Sequence, residues 1–168
     1  MSPEETLLET LAVNDLGVTI FNETINEKNI EAIYLEPYAY FASDGIGYEA
    51  PGDLSGAHNL VHPRSFGATA RFLAEFVKNQ PVLQWEHAIS KMTKAPAELL
   101  RLKNRGLLKE GAFADITVID PERITDNATY TEPFQYPTGI PWVIVNGRVA
   151  VRNGKLTDER AGEILKAV

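Results

Sequence analysis

Apolar residues recur at helical spacing at the start of the chain and then give way to short apolar runs. A helix is predicted from Pro3, because Ser2 is a candidate N-cap, proline suits the first helical position and leucines follow at helical spacing. The pattern next predicts a strand over Gly17–Phe21, a helix over Asn26–Leu35 and a strand over Tyr38–Ala42. This alternation is typical of a parallel sheet with helices outside it.

Glycine and proline punctuate the next stretch, Gly45–Ser65, which has no hydrophobic periodicity and is predicted as a loop. Loops of this length are uncommon unless they are functional. Amphipathic helices are predicted over Phe66–Val77 and Trp85–Met92. A further helix is predicted after Thr93, a candidate N-cap, and the helices are expected to end near Asn104.

Beyond the helices the pattern changes to that of strands. Phe113–Ile119 is predicted as a strand, and Trp142–Val151 as two strands that turn at Asn146 and Gly147, a pair typical of β-hairpins. Thr125–Pro141 is predicted as an ordered loop between them. The chain as a whole is therefore predicted to be an α/β protein.

Composition narrows the class of protein. The chain has 168 residues, 44% of them hydrophobic, which is enough for a real core. Its net charge of −7 and scattered 16 Lys and Arg argue against nucleic-acid binding. The absence of cysteine excludes disulfides, cysteine-ligated zinc and a thiol nucleophile within this chain. The start lacks a signal-peptide pattern and no apolar run approaches the roughly 20 residues of a membrane span. These features predict a cytoplasmic protein without a membrane partner.

Asp44 is the first candidate for chemistry. It directly follows the apolar run Tyr38–Ala42 and precedes Gly45, where the backbone is free to turn into the long loop. Carboxylates at the carboxyl ends of strands face the site in (β/α) barrels. The alternative is an aspartate that only stabilises a turn, as Ser-Asp-Gly sequences often do.

Two histidines and an arginine, His58, His62 and Arg64, lie in the long loop. The histidines are spaced like metal ligands on a helix, but Pro63 and the missing periodicity place them on a loop. On a loop, a histidine more commonly donates a hydrogen bond to a backbone carbonyl or to a carboxylate. Arg64 is a candidate ligand for a substrate carboxylate, because a guanidinium fork matches two carboxylate oxygens. The alternative for Arg64 is an ion pair that fixes the loop.

A series of short motifs then runs through most of the chain. The motifs are Ala42–Gly45, His62–Gly67, Ala88–Thr93 with Pro96–Ala97, Arg105–Ile116, Ile119–Pro121, Thr131–Pro133, Gln135–Ile140 and Val143–Gly147. This series resembles the C-terminal part of D-aminoacylases, which hydrolyse N-acyl-D-amino acids. Segments like Gly111–Ile116 occur across amidohydrolases, whereas His62–Arg64 and Gln135–Pro137 point to the D-aminoacylase branch.

The resemblance implies the C-terminal part of a (β/α)₈ amidohydrolase barrel over residues 1–104, followed by a small β domain over residues 105–168. It makes Tyr38–Ser43 the last barrel strand and Asp44 the catalytic acid/base. In this chemistry zinc activates a water, and the carboxylate takes the water's proton and later gives it to the leaving amine. The resemblance also makes Asp44 a candidate metal ligand and assigns His62 and Arg64 to substrate binding or loop ordering.

The chain departs from the family pattern at the metal site. The family ligands include a His-x-His and a cysteine, and neither occurs in this sequence. We therefore expect no stoichiometric zinc and no amide hydrolysis from this chain alone. The alternative is an inactive homologue that serves as a binding or assembly module. A partial barrel leaves strand edges unpaired, which predicts a homo-oligomer or pairing with a missing N-terminal half.

Overall fold

A computed structural model describes residues 1–18, 20, 24–48 and 61–166. Within these ranges the chain forms helices first and an antiparallel sheet afterwards. The helices are α1 Pro3–Val13, α2 Glu27–Leu35, α3 Arg64–Leu73, which continues into a π-helical segment Ala74–Asn79, α4 Trp85–Met92 and α5 Lys94–Leu99. The strands are β1 Ile116–Val118, β2 Trp142–Val145, β3 Arg148–Arg152 and β4 Lys155–Leu156. None of the helices in these ranges is long and apolar enough to cross a membrane.

The predicted start of α1 is confirmed, because the first turn has a complete capping box. The Ser2 hydroxyl accepts a hydrogen bond from the Glu5 backbone N–H at 3.3 Å, and the Glu5 carboxylate accepts one from the Ser2 backbone N–H at 2.7 Å. Two otherwise unpaired donors of the helix are thereby satisfied. The helix predicted over Asn26–Leu35 is also present as α2, with Asn26 capping the Lys28 backbone N–H at 2.8 Å.

The prediction of a strand over Tyr38–Ala42 is wrong. A strand needs a neighbour for its backbone groups, and here α4 supplies the partner, since the Phe41 N–H donates to the Lys91 carbonyl at 3.2 Å. The Lys91 ammonium donates to the Glu36 and Ala39 carbonyls at 2.6 and 2.9 Å. The segment is therefore bonded to the end of α4 and to no other strand, and the described residues contain no parallel strand pair.

Three smaller predictions about the helical half differ from the structure. The strand predicted over Gly17–Phe21 falls partly outside the described residues, and its described members are not in a strand. Thr93 precedes α5 as predicted, but its hydroxyl donates to the Ile89 carbonyl at 2.6 Å and makes no cap bond to α5. A threonine hydroxyl can bond back four residues in this way and end the helix before it. The last helix ends at Leu99 and not near Asn104.

The strands form one antiparallel sheet in the order β1-β2-β3-β4. The predicted hairpin is confirmed, because Asn146 and Gly147 join β2 to β3 with φ of 48° and 79°. Positive φ at both residues is the geometry of a type I′ turn, which matches the twist of the flanking strands. The register shifts between Val143 and Ile144, where the pairing with β3 is irregular.

A polar network fixes this hairpin to the preceding segment. The Arg105 guanidinium contacts the Asp115 carboxylate and donates to the Asn146 side-chain oxygen at 2.8 Å. The Asn146 backbone N–H donates to the other Asp115 oxygen at 2.8 Å, and Arg105 lies 4.0 Å from the centre of the Phe113 ring. These contacts explain the Gly111–Ile116 motif as structural, since its aspartate bonds both partners.

The core is shared between the helices and the sheet half. Its buried members are Ala70, Phe72, Leu73, Ala74, Val77, Leu83, Ala88 and Ile124. Ile124 comes from the segment between β1 and β2, is fully buried, and its carbonyl accepts a hydrogen bond from the Lys78 ammonium at 2.7 Å. The architecture is therefore α/β with one continuous core, and the division at residue 104 stays a prediction.

Candidate functional site

Asp44 lies in a left-handed backbone conformation between the segment Tyr38–Ser43 and the long loop. Its φ is +48°, a region that non-glycine residues seldom adopt and that Asp and Asn tolerate best. The Ser43 hydroxyl accepts the Gly45 N–H at 3.3 Å, which completes the turn. The Asp44 side chain is 81% exposed, so its carboxylate faces solvent.

Arg64, the first residue of α3, holds Asp44 from two directions. Its Nε donates to the Asp44 backbone carbonyl at 2.8 Å, and one terminal nitrogen lies 3.0 Å from the carboxylate Oδ2. The guanidinium fork thus binds both the main chain and the side chain of one residue. The ion pair expected as the alternative for Arg64 is present, and a substrate role for Arg64 stays a prediction.

The start of the long loop lies against the first turn of α3. The Ile46 N–H donates to the Ser65 hydroxyl at 3.2 Å. A Cβ at Gly45 would lie 3.0 Å from the Ser65 Cα, which is closer than nearly all such contacts, so glycine permits this approach. Asp44 and α3 are consequently fixed to each other across 20 residues of sequence.

His62 joins this site through both ring nitrogens. Its Nδ1 accepts the Arg64 backbone N–H at 3.1 Å, and its Nε2 lies 3.4 Å from the Tyr130 hydroxyl. Burial, together with the nearby cations of Arg64 and Arg71, lowers the pKa of His62, against an opposing effect from Asp44. The neutral ring with its proton on Nε2 satisfies both contacts, so His62 orders the start of α3.

An aromatic cluster around Phe66 lies beside these residues and was not predicted from the sequence. Phe66 lies 5.8 Å from Tyr48, 5.3 Å from Phe134 and 6.0 Å from Tyr136 between ring centres. Tyr130 contacts His62 edge to face at 5.3 Å. The one signal in the sequence was the aromatic and proline content of the loop after β1, which did not reveal the partners.

The described residues do not assemble a zinc site by themselves. His58 lies outside the described residues, and among those described no three His, Asp or Glu side chains come together as metal ligands. Asp44 offers one carboxylate, and Arg64 already contacts one of its oxygens. His62 directs Nδ1 to a backbone N–H, so that nitrogen is engaged as an acceptor.

Comparison with known proteins gives concordant matches. A family model described as "Amidohydrolase family" matches residues 40–151. The N-acyl-D-aspartate deacylase of Alcaligenes xylosoxydans xylosoxydans is 33% identical over 141 residues, which are 84% of this chain and 26% of that protein. The chain thus spans about a quarter of the length of the curated relatives that it matches over most of its length.

Two solved structures extend the match to three dimensions. A D-aminoacylase studied for its binuclear metal center superposes with a TM-score of 0.75 at 30% identity, over 84% of this chain and 28% of that one. An N-acyl-D-glutamate deacylase from Bordetella bronchiseptica, in complex with zinc and a phosphonate inhibitor, gives 0.66 at 33% identity, over 75% of this chain and 25% of that one. The resemblance inferred from the motifs is confirmed.

Proposed function

The chain belongs to the amidohydrolase family, and from that premise we propose that it forms the C-terminal part of a metal-dependent hydrolase of N-acyl-D-amino acids. Asp44 is the general acid/base of this reaction. The observation that carries the proposal is the exposed Asp44 carboxylate, which Arg64 holds at the first turn of α3. The relatives named above act on this class of substrate, which supports the assignment.

Asp44 moves one proton twice. It takes a proton from the water whose oxygen forms a bond to the acyl carbon, and it returns that proton to the amine nitrogen as the carbon–nitrogen bond breaks. The products are a carboxylic acid and a free D-amino acid. Zinc, which the family chemistry requires, polarises the carbonyl and makes water more acidic when it is bound. Asp44 would offer one carboxylate to such an ion, and the described residues assemble no further set of ligands with it.

Arg64 and His62 serve the substrate and the loop in this proposal. Arg64 has five N–H donors and uses two on Asp44. Its side chain is 44% exposed, so the remaining donors are accessible to the carboxylate of an N-acyl-D-amino acid. His62 maintains the start of α3 through the Arg64 backbone N–H.

The second candidate function is an inactive homologue that acts as a binding or assembly module. It is favoured by one observation: the guanidinium of Arg64 already forms an ion pair with the carboxylate that would act as the base. In that case the Asp44–Arg64 pair only secures the loop. Hydrolysis measurements separate the two functions, because the module has no turnover in any preparation.

The decisive experiment measures hydrolysis of N-acetyl-D-aspartate, N-acetyl-D-glutamate and N-acetyl-D-methionine, with the L-enantiomers as controls. The chain is assayed alone and together with the part of the N-acyl-D-aspartate deacylase that lies outside the match. We expect turnover only with the added polypeptide and zinc. Asp44→Asn in the same mixture lowers the rate by about 10²–10⁴-fold. Undiminished turnover by Asp44→Asn removes the acid/base role, and absence of turnover in every mixture favours the assembly module.

Metal content and size give a second, independent test. Metal analysis of the purified chain is expected to find no stoichiometric zinc, and about one zinc per chain would contradict an incomplete site. Light scattering is expected to show self-association of the chain, or a complex with the added polypeptide. A monomer that forms no complex with the added polypeptide would count against both predictions, that of a homo-oligomer and that of pairing with an N-terminal half.

A further inference from the structure

The segment Thr125–Thr138, which we name the clamp segment, contacts both described ends of the long loop. Tyr130 meets His62 at one end, and Phe134 meets Tyr48 at the other, with ring centres 6.1 Å apart. Phe134 also lies edge to face on Phe66 of α3 at 5.3 Å. Both described ends of the loop that follows Asp44 therefore pack against the clamp segment.

The clamp segment has hydrogen bonds of its own, within Thr125–Thr138. Thr125 and Thr138 form an isolated antiparallel bridge, and the Asn127 side chain donates to the Tyr136 carbonyl at 2.8 Å. The Thr129 N–H donates to the Glu132 carbonyl at 3.1 Å, while the Thr129 hydroxyl accepts the Glu132 N–H at 2.9 Å. A segment with this many internal bonds can serve as a rigid support.

The clamp segment packs against α3 at Gly67. A Cβ at Gly67 would overlap the Asp126 carboxylate, so a larger residue at position 67 would force the Asp126 side chain to move. Asp126 also accepts the Ala128 N–H at 2.9 Å, which fixes its side chain in that position. The glycine of the His62–Gly67 motif thus has a packing reason that connects two distant parts of the sequence.

We infer that Tyr130 and Phe134 are positioning residues: they hold the two ends of the loop against α3, so that Arg64 meets Asp44 in one geometry. The catalytic meaning of this inference rests on the proposed function. Both residues act through His62, Tyr48 and Phe66, whose neighbours in sequence make the bonds around Asp44.

The test is hydrogen exchange by NMR on the whole chain. In Phe134→Leu, we expect exchange of the Ile46 N–H and the Arg64 Nε–H to quicken by roughly threefold to tenfold, the equivalent of one aromatic contact. In Tyr130→Phe, the faster exchange is confined to the Arg64 backbone N–H. Phe134→Tyr retains the ring and is expected to restore the wild-type Arg64 Nε–H resonance.

The matched control is Phe113→Leu, which removes the ring that lies beneath Arg105 in the sheet half. It is expected to affect the Asn146 N–H and to leave Ile46 and Arg64 unchanged. Unchanged exchange in Phe134→Leu, or equal acceleration at all amides, overturns the positioning role. The measurement needs no turnover, so it can fail while the Asp44→Asn assay succeeds, and the reverse also holds.

Discussion

Two arginine–aspartate pairs in this molecule have the same chemistry and opposite surroundings. The side chains of Arg105 and Asp115 are 11% and 34% exposed, and Asn146 and the Phe113 ring complete their contacts. The side chains of Arg64 and Asp44 are 44% and 81% exposed, and water competes for them. The first pair joins two segments of the sheet half, whereas the second holds one strained turn against a helix.

The difference in exposure indicates how much each pair contributes to stability. The Arg105–Asp115 pair, whose arginine is mostly shielded, costs more to break, because the Arg105 guanidinium and the Asn146 N–H both lose their acceptor. An exposed pair contributes about 0–1 kcal/mol to stability. Stability alone is therefore a weak reason for the left-handed Asp44 and its arginine, and a role in positioning a carboxylate is the better one.

The largest expected effect is on the shielded pair. Asp115→Ala removes the acceptor of both Arg105 and the Asn146 backbone N–H. We expect the free energy of unfolding to fall by about 2–4 kcal/mol, somewhat less than for a fully buried pair. Urea denaturation followed by circular dichroism measures this loss. A loss as small as that of the exposed pair would erase the contrast.

The next effect concerns the backbone at Asp44. Alanine in a left-handed conformation costs about 1–2 kcal/mol, whereas asparagine tolerates it. Asp44→Ala is therefore expected to lower the free energy of unfolding by about 1 kcal/mol. The matched variant Asp44→Asn should stay within about 0.5 kcal/mol of the wild type. Equal losses in the same denaturation experiment would mean that charge, and not conformation, matters at this turn.

A double-mutant cycle sharpens the comparison of the two pairs. For Arg64→Ala with Asp44→Asn, we expect a coupling free energy below about 1 kcal/mol that shrinks further in about 1 M salt. For Arg105→Ala with Asp115→Ala, the coupling is expected to be larger and to change little with salt. Two couplings with the same salt dependence would show that exposure does not separate the pairs.

The smallest effect is on the pH dependence of stability. The pKa of His62 is lowered from its ordinary value of 6.5, so the unfolded chain binds the proton more readily than the folded one. The contribution of neutral His62 is therefore present above pH 6.5 and is lost as the pH falls through the folded pKa. Unfolding free energies of His62→Gln, measured from about pH 7 to about pH 5, should fall less steeply than those of the wild type. An identical slope would contradict the lowered pKa.

Local signals in the sequence predicted the local structure well. The Ser2 N-cap and the Asn146–Gly147 hairpin depend on residues at most a few positions apart, and both are present. The amphipathic helices followed from apolar spacing for the same reason. Asp44 could be singled out because it follows the apolar run Tyr38–Ala42 and precedes Gly45, and Arg64 because a guanidinium fork matches a carboxylate.

Features that depend on distant partners could not be predicted in this way. The apolar run Tyr38–Ala42 has the composition of a strand, but its backbone bonds to Lys91 of α4. The Lys91 carbonyl accepts the Phe41 N–H, and the Lys91 ammonium donates to the Ala39 carbonyl. One partner of His62 is Tyr130, which is 68 residues away. No periodicity encodes that contact, since it depends on how the clamp segment sits on α3.

The burial of Ile124 has a consequence for the order in which the protein folds during synthesis. It is fully buried among residues of α3, α4 and the π-helical segment, and a Cβ at Gly139 would overlap its backbone. During synthesis the helices emerge first, yet their apolar interior stays open until residues 124 and 139 have been made. The helical half is thus expected to wait in a partly folded, protease-sensitive state, and to close in one cooperative step once the second half arrives.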